Sequence, residues 1–192
     1  GEALELCEWG LVPSWLKNLD KFSPLINARM ETIMEKVTFK NLIQKSRCLV
    51  LADGYYEWKR ENNEKTPYYF TREDKELMFF AGIFQNNQFC IITKEATLNV
   101  SQIHHREPLI INHSQISSYL NIRKEAMSVL NSIKPPVLKF HQVNKEVNKP
   151  INKSNVVAPI SQQETINIDQ NINNIMQNSF NIKTNPLTRV SP

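Results

Sequence analysis

The residue best suited to acid–base chemistry is a single carboxylate in the middle of the chain, with aromatic side chains on both sides. It is Glu57, within the stretch Arg47–Arg60, RCLVLADGYYEWKR. Apolar surroundings remove hydration from a carboxylate and raise its pKa, which suits general acid–base catalysis. The alternative is a solvated Glu57 paired with Lys59 or Arg60, and the residue types alone favour that alternative.

A second candidate for proton transfer is a histidine in the polar segment His104–Pro108, HHREP, directly before an apolar run. Imidazole titrates near neutrality, so His104 beside Arg106 could act as a general acid or base. A metal site would need further ligands, and no other His, Cys or carboxylate cluster has a recognisable spacing. No metal and no cofactor are therefore expected.

Two further positions could recognise a polar ligand. Asn27 and Arg29 precede a periodic segment, where a loop could present an amide and a guanidinium together; an Asn cap with a solvated Arg is the alternative. Trp15 follows Gly and Pro residues in GLVPSW. It is interpreted either as part of a packed corner or as an exposed ring that stacks on a base.

The elements that must position these residues are short strands. Cys48–Ala52 is an apolar run, and Asp53-Gly54 predicts a turn with Gly54 at positive φ. Further strands are predicted at 67–71, 77–84, 89–93, 109–111 and 137–143, which is typical of an antiparallel meander in a curved sheet or partly closed barrel. Helices are predicted over 30–37, 39–43, 114–121 and 124–133.

Composition bounds the class of protein. The 192 residues carry a net charge of +4, which permits a polyanionic partner, and are 41% hydrophobic, as in ordinary globular proteins. Three widely spaced cysteines, Cys7, Cys48 and Cys90, are typical of reduced core residues in an intracellular protein. No apolar run is long enough for a membrane span, and the chain lacks a signal-peptide layout at its start.

Taken in order, the motifs are far more specific than any of them alone. WGLVPSW, INAR, RCLVLADGYYEW, KTPYYF, FAGIF, ITKEA, IHHREPLII and FHQVNKEVN follow one another between Glu8 and Val156. This series resembles the SRAP family (SOS response-associated peptidase fold), whose members trap abasic sites in single-stranded DNA covalently. The resemblance implies an α+β fold with a curved, barrel-like, mostly antiparallel sheet, flanked by a few helices.

The resemblance also implies a chemistry. In the family an amino-terminal cysteine forms a Schiff base and then a thiazolidine with the ring-opened sugar, and autoproteolysis and lyase-type activity accompany that cross-linking. Matched by motif, Asn27 would hydrogen-bond the sugar, Glu57 would handle protons at the amine, and His104 would open the ring. The DNA-binding positions would be Trp15, Arg29, Thr93 and Arg106. Single-stranded DNA with abasic sites is the expected partner, with the protein as a monomer.

The sequence departs from the family at its start. The Met-Cys-Gly-Arg segment of the family is absent before WGLVPSW, and Cys7, without a free α-amine, is no substitute. Leu16 stands where many relatives have Trp. The expected organisation is a SRAP-like domain over 1–158, incomplete at its amino end, and a tail over 159–192, where 11 of the 25 residues 161–185 are Asn or Gln. That composition is typical of a disordered or loosely docked segment.

Two alternatives to an abasic-site cross-linking enzyme of DNA repair remain open. A non-catalytic reader of single-stranded or damaged DNA would keep the basic cleft without the nucleophile. A peptide hydrolase rests only on the family's label. The expected location is the bacterial cytoplasm with its nucleoid, or the nucleus in a eukaryote.

Overall fold

The strands of the computed structural model follow the alternating apolar stretches of the sequence. The structure describes residues 5–17 and 22–148; the predicted boundary at 158–159 and the Asn/Gln-rich tail lie outside them. The strands within these ranges are β1 (Glu8–Trp9), β2 (Asn27–Arg29), β3 (Arg47–Ala52), β4 (Tyr55–Glu61), β5 (Glu64–Arg72), β6 (Met78–Gln85), β7 (Gln88–Glu95), β8 (Arg106–Pro108) and β9 (Leu138–Gln142).

Short helices and 3-10 turns connect the strands. The helices are α1 (Val37–Lys45), α2 (Ile116–Leu120) and α3 (Ala126–Ser132); 3-10 turns occupy Met30–Thr32, Val100–Gln102, His113–Gln115 and Lys145–Asn148. In α1, Phe39 and Ile43 are spaced four residues apart and form its buried stripe. None of the described helices is long and apolar enough to span a bilayer.

The larger sheet has six strands and is organised around β7. Its order is β1-β7-β6-β3, with β2 and β8 also paired to β7. The pairings β6–β7 and β7–β8 are antiparallel, whereas β1 and β2 run parallel to β7. The predicted α+β class with a curved, barrel-like sheet is confirmed, and the parallel pairs make this half-barrel sheet mixed rather than a simple meander.

The smaller sheet has three antiparallel strands in the order β4-β5-β9. An Asn-Asn pair turns the β4–β5 hairpin, with φ of 50° at Asn62 and 64° at Asn63. A second Asn-Asn pair turns β6 into β7, with φ of 50° at Asn86 and 61° at Asn87. Two consecutive positive φ angles match the twist of a tight hairpin, and Asn tolerates them better than most residues.

The connection at Asp53-Gly54 has a different physical basis from the one predicted. It is not a hairpin turn, because β3 and β4 belong to different sheets, and Gly54 is not among the described residues with positive φ. A Cβ atom at Gly54 would clash with the carbonyl oxygen of Phe70 and would lie 2.6 Å from the hydroxyl of Tyr69. Glycine is required there by the close approach of β5.

Two other predictions were wrong in their local structure. The helix predicted over 30–37 is only the 3-10 turn Met30–Thr32 followed by turns, in which Glu35 and Lys36 both donate to the carbonyl of Thr32. The β-branched residues there favour helix only weakly, and no side chain caps the helix that starts at Val37. The strand predicted at 109–111 is also misplaced, because β8 ends at Pro108 and Ile110 forms only an isolated bridge with Phe80.

Contacts divide the chain into two compact units. The first comprises the described parts of Gly1–Val50, Phe79–Glu95 and Arg106–Pro135; the second comprises Leu51–Met78, Ala96–His105 and the described residues from Pro136. Fully buried side chains of the first unit include Leu11, Ile33, Ile43, Ile83, Ile92 and Ile111. Those of the second include Phe70, Met78, Val100 and Val143.

Candidate functional site

An aromatic framework fixes Glu57 on β4 in the second unit. Tyr55, two residues earlier, stacks on Phe70 of β5 with ring centroids 4.8 Å apart and planes 9° from parallel. On the other face, Tyr56 packs 5.0 Å from Tyr69, centroid to centroid. Because Tyr55 and Tyr56 are held by these ring contacts, β4 is fixed in the sheet, and the sheet sets the direction in which the side chain of Glu57 points.

The partner of Glu57 is His104. Oε2 of Glu57 lies 3.6 Å from Nδ1 of His104. The side chain of Glu57 is 22% exposed and that of His104 is 28% exposed. Burial raises the pKa of Glu57, while the amide of Trp58 and the neighbouring imidazoles act in the opposite direction. Lys59, predicted as an alternative partner, pairs instead with Glu61 at 3.0 Å. A half-buried carboxylate beside an imidazole can pass a proton near neutral pH.

The loop that carries His104 is held by buried side chains and backbone hydrogen bonds. Val100 and Ile103 are 1% and 8% exposed, and the amide of His104 donates to the carbonyl of Val100 at 3.0 Å. The amide of Ala96 donates to the carbonyl of His105 at 3.0 Å, which closes the loop. These contacts fix the loop, and with it the positions of the imidazoles of His104 and His105.

Sequence reasoning passed over His105, which is part of this group. Its ring lies 4.5 Å from that of His104, centroid to centroid, and its positive form would lower the pKa of Glu57. The doublet His104-His105 was the available signal, because adjacent histidines in a tight loop can both lie near one carboxylate.

Four other predicted residues share a face of the larger sheet in the first unit. Asn27 and Arg29 alternate on β2 as exposed residues around the buried Ala28. Arg29 is the register partner of Thr93 on β7, and Arg106 on β8 is the partner of Glu95. Alternate residues of a strand point to the same side, so the four side chains form one polar face. Asn27 and Arg29 are exposed on it, whereas Thr93 and Arg106 are partly buried.

Arg106 is held within that face by a carboxylate that sequence reasoning missed. Its Nη1 and Nη2 donate to the two oxygens of Glu31, both at 2.9 Å, and Nη2 also donates to the hydroxyl of Thr93 at 3.2 Å. The paired guanidinium lowers the pKa of Glu31 to about 2. No sequence signal marked Glu31, since it falls in the segment predicted as helix.

Trp15 lies on a turn in which the amide of Leu16 donates to the carbonyl of Pro13 at 3.0 Å. Its side chain is 61% exposed. Trp9 differs, because its indole N–H donates to the carbonyl of Ile26 at 2.9 Å. Of the two tryptophans, Trp15 is thus the one presented to solvent, where an aromatic ring can stack on a flat ligand.

The thiols and the possible metal ligands complete the list of reactive groups. The described residues contain no cluster of three His, Cys, Asp or Glu side chains that could hold a metal ion. The three cysteines are free thiols, with Cys90 buried and Cys7 and Cys48 partly so. Burial raises the pKa of Cys48 and of Cys90 to about 12, which keeps both as unreactive thiols.

Comparison with known proteins relates the chain to a single group. The sequence profile of the SOS response associated peptidase (SRAP) family matches residues 1–150. An abasic site processing protein of Saccharomyces cerevisiae is 30% identical over 85% of this chain and 50% of its own length. The abasic site processing protein YoaM of Bacillus subtilis is 33% identical over 76% of this chain and 70% of its own.

Solved structures agree with the sequence comparison. A crystal structure of a protein from Bacteroides thetaiotaomicron superposes with a TM-score of 0.70 at 28% identity, over 79% of this chain and 74% of that one. The chain spans only half the length of the yeast relative. The profile match nevertheless covers most of the sequence, so the chain belongs to the SOS response associated peptidase (SRAP) family.

Proposed function

We propose that this protein processes abasic sites in single-stranded DNA by covalent capture of the opened sugar. The relatives at 30% and 33% identity are named abasic site processing proteins. The observation that carries the proposal is the pairing of Glu57 with His104, in which burial raises the pKa of a carboxylate beside an imidazole. Because burial raises its pKa, Glu57 is more easily protonated than an exposed carboxylate, and it can both donate and accept a proton during condensation.

The proposed chemistry joins an amine and a thiol to one aldehyde carbon. His104 protonates the ring oxygen of the sugar while the hydroxyl on the same carbon loses its proton to water, so the ring C–O bond breaks and the aldehyde forms. An amino-terminal cysteine then adds through its nitrogen, and Glu57 donates a proton to the departing hydroxyl so that water leaves. The thiol adds to the resulting iminium carbon to close a thiazolidine, and its proton returns to the Glu57 carboxylate. Asn27 would hydrogen-bond the sugar. Removal of residues before that cysteine would be the peptidase step, and reversal or strand cleavage the lyase step.

The DNA itself would be held by charge and by stacking. Arg29 is exposed on β2, and no described side chain pairs with it; with Thr93 and Arg106 it offers donors for backbone phosphate. The exposed ring of Trp15 would stack on a base. A monomer, in the compartment that contains the DNA, is sufficient for this function.

The test uses the protein together with any residues that precede Gly1 in its gene, and single-stranded DNA with one abasic site. A denaturing gel should show a covalent adduct. Glu57→Gln and His104→Ala should slow its formation by about 100-fold, a usual size for loss of general acid–base catalysis. Lys59→Gln, whose side chain pairs with Glu61, is the matched control. Absence of both adduct and strand cleavage in the parent protein would sink the proposal.

The polar face of Asn27, Arg29, Thr93 and Arg106 also favours a second function, reversible reading of damaged or single-stranded DNA. A reader would bind with a strong dependence on salt. It would lose binding on Arg29→Ala but keep it on Glu57→Gln, and it would leave no adduct on the gel.

A further inference from the structure

We propose that Glu31 is a positioning residue of the DNA-binding face, which acts through Arg106 to present the hydroxyl of Thr93 to a backbone phosphate. This inference rests on the proposed function, since it assigns a role within the same polar face. Glu31 itself is not placed in contact with DNA.

The first observation is the number of donors that converge on Glu31. One carboxylate oxygen accepts from Nη1 of Arg106 at 2.9 Å and from the amide of Glu95 at 3.0 Å; the other accepts from Nη2 of Arg106 at 2.9 Å. Two parallel bonds to a guanidinium fix its plane as well as its position. The amide of Glu95 anchors the carboxylate to the end of β7, so the whole arrangement is tied to the sheet.

The second observation is what this fixed guanidinium does to Thr93. Nη2 of Arg106 donates to the hydroxyl oxygen of Thr93 at 3.2 Å. A hydroxyl has one hydrogen and two acceptor sites. When a guanidinium occupies an acceptor site, the hydrogen is left for another acceptor, and the positive charge makes that hydrogen a better donor. An anion bound at this polar face is a suitable acceptor.

The third observation is the position of Arg29. It is the register partner of Thr93 across the parallel β2–β7 pair, and it is exposed. A phosphate that accepts from Thr93 would therefore meet a cation on the neighbouring strand. Glu31 fixes Arg106, Arg106 orients the hydroxyl, and Arg29 supplies charge beside it.

The alternative role for Glu31 is purely electrostatic: a carboxylate that reduces the net charge of the face. The paired Arg106 lowers the pKa of Glu31 to about 2, so the charge is present at every physiological pH. The two roles differ in what they demand of side-chain length. Aspartate keeps the charge but is one methylene shorter and cannot span both nitrogens from the same backbone position.

The experiment measures binding of a fluorescein-labelled, undamaged single-stranded oligonucleotide by anisotropy in a double-mutant cycle. Thr93→Val should weaken binding about fivefold in the parent protein, the usual value of one hydrogen bond. In a Glu31→Gln background it should weaken binding less than about twofold, because the hydroxyl is no longer oriented. The charge effect of Glu31→Gln is the same with either residue at 93 and cancels in the cycle.

Two controls separate the explanations. Glu31→Asp should also reduce the effect of Thr93→Val; if it behaves like the parent protein, the role is electrostatic and the proposal is wrong. Glu35→Gln, an exposed carboxylate nearby, should leave the effect of Thr93→Val unchanged. Independent effects of Glu31→Gln and Thr93→Val overturn the inference alone. Absence of binding by the parent protein at low salt overturns it together with the proposed function.

Discussion

At the scale of single residues, the ionised side chain of Glu57 destabilises the fold. Burial raises its pKa, and the opposing effects of the Trp58 amide and the two imidazoles do not cancel that increase. The folded chain therefore binds the proton of Glu57 more tightly than the unfolded chain does. A residue that destabilises the fold at neutral pH and is still accommodated is a reasonable candidate for chemistry.

This predicts a pH-dependent difference in stability between the parent protein and Glu57→Gln. Below the ordinary pKa of Glu57, its carboxyl group is protonated in both the folded and the unfolded chain, and the destabilisation is absent. As pH rises, Glu57 ionises first in the unfolded chain. The destabilisation reaches its full size above the pKa that Glu57 has in the folded chain. Urea unfolding should thus show Glu57→Gln gaining stability relative to the parent between pH 4 and pH 8. Glu61→Gln, an exposed change on the same strand, should show no such trend, and a pH-independent difference would contradict the assignment.

At the scale of elements, one buried cation joins the ends of the helices in the first unit. Arg47 is 6% exposed, and its guanidinium donates to four carbonyls: those of Ile43 at 2.6 Å, Tyr119 at 3.2 Å, Asn121 at 3.3 Å and Lys124 at 2.9 Å. The last carbonyls of a helix lack partners within it. Arg47 supplies donors to the last turns of α1 and α2 and to the segment before α3.

We therefore expect Arg47→Ala to reduce the free energy of unfolding by about 3 kcal/mol, because several buried carbonyls lose their donor. Arg47→Lys should recover only part of that loss, since an ammonium group cannot reproduce the planar fork. The measurement is urea unfolding, with Lys45→Ala in the exposed last turn of α1 as control. A loss below about 0.5 kcal/mol for Arg47→Ala would show that water replaces the guanidinium.

The hairpin turn at Asn62-Asn63 allows a test of backbone strain. The φ of 64° at Asn63 suits glycine and opposes residues with a bulky Cβ. Asn63→Gly should leave stability unchanged or raise it by a few tenths of a kcal/mol, whereas Asn63→Ala should lower it by about 1 kcal/mol. Thermal unfolding of both variants checks the order. Equal stability for the two variants would mean that the turn relaxes into another type.

The elements were largely predictable, whereas the contacts of the site were not. Alternation and turn residues located β5, β6, β7 and β9, because local propensity and the buried face agree there. The helix prediction for 30–37 was wrong because it rested on apolar spacing alone. The structure there includes hydrogen bonds that Glu31 accepts from Arg106 and Glu95, which lie far along the chain. The approach of His104 to Glu57 depends on the fold of a whole loop. Only the order of motifs, read as a family resemblance, pointed to that pair.

At the scale of the whole molecule, burial ranks the three thiols by reactivity. Cys90 is 0% exposed, and burial raises the pKa of Cys48 and Cys90 to about 12. Cys7 is partly exposed. An aromatic disulfide reagent at pH 7.5 should consume Cys7 first and the other two only as the protein unfolds. Cys7→Ser should abolish the fast phase; a fast phase that persists would mean that the core opens without global unfolding.

The central position of β7 has a consequence for the order in which the protein assembles. Its hairpin with β6 closes over a two-residue turn, whereas β1 and β2 must return from far earlier in the sequence to pair with it. Local pairings form before distant ones, because closing a long loop costs chain entropy. The β6–β7 hairpin should thus act as the template, with β2 docking late. A folding intermediate would then contain Thr93 in place but lack Arg29 beside it, so the proposed phosphate-binding face would be complete only after β2 docks.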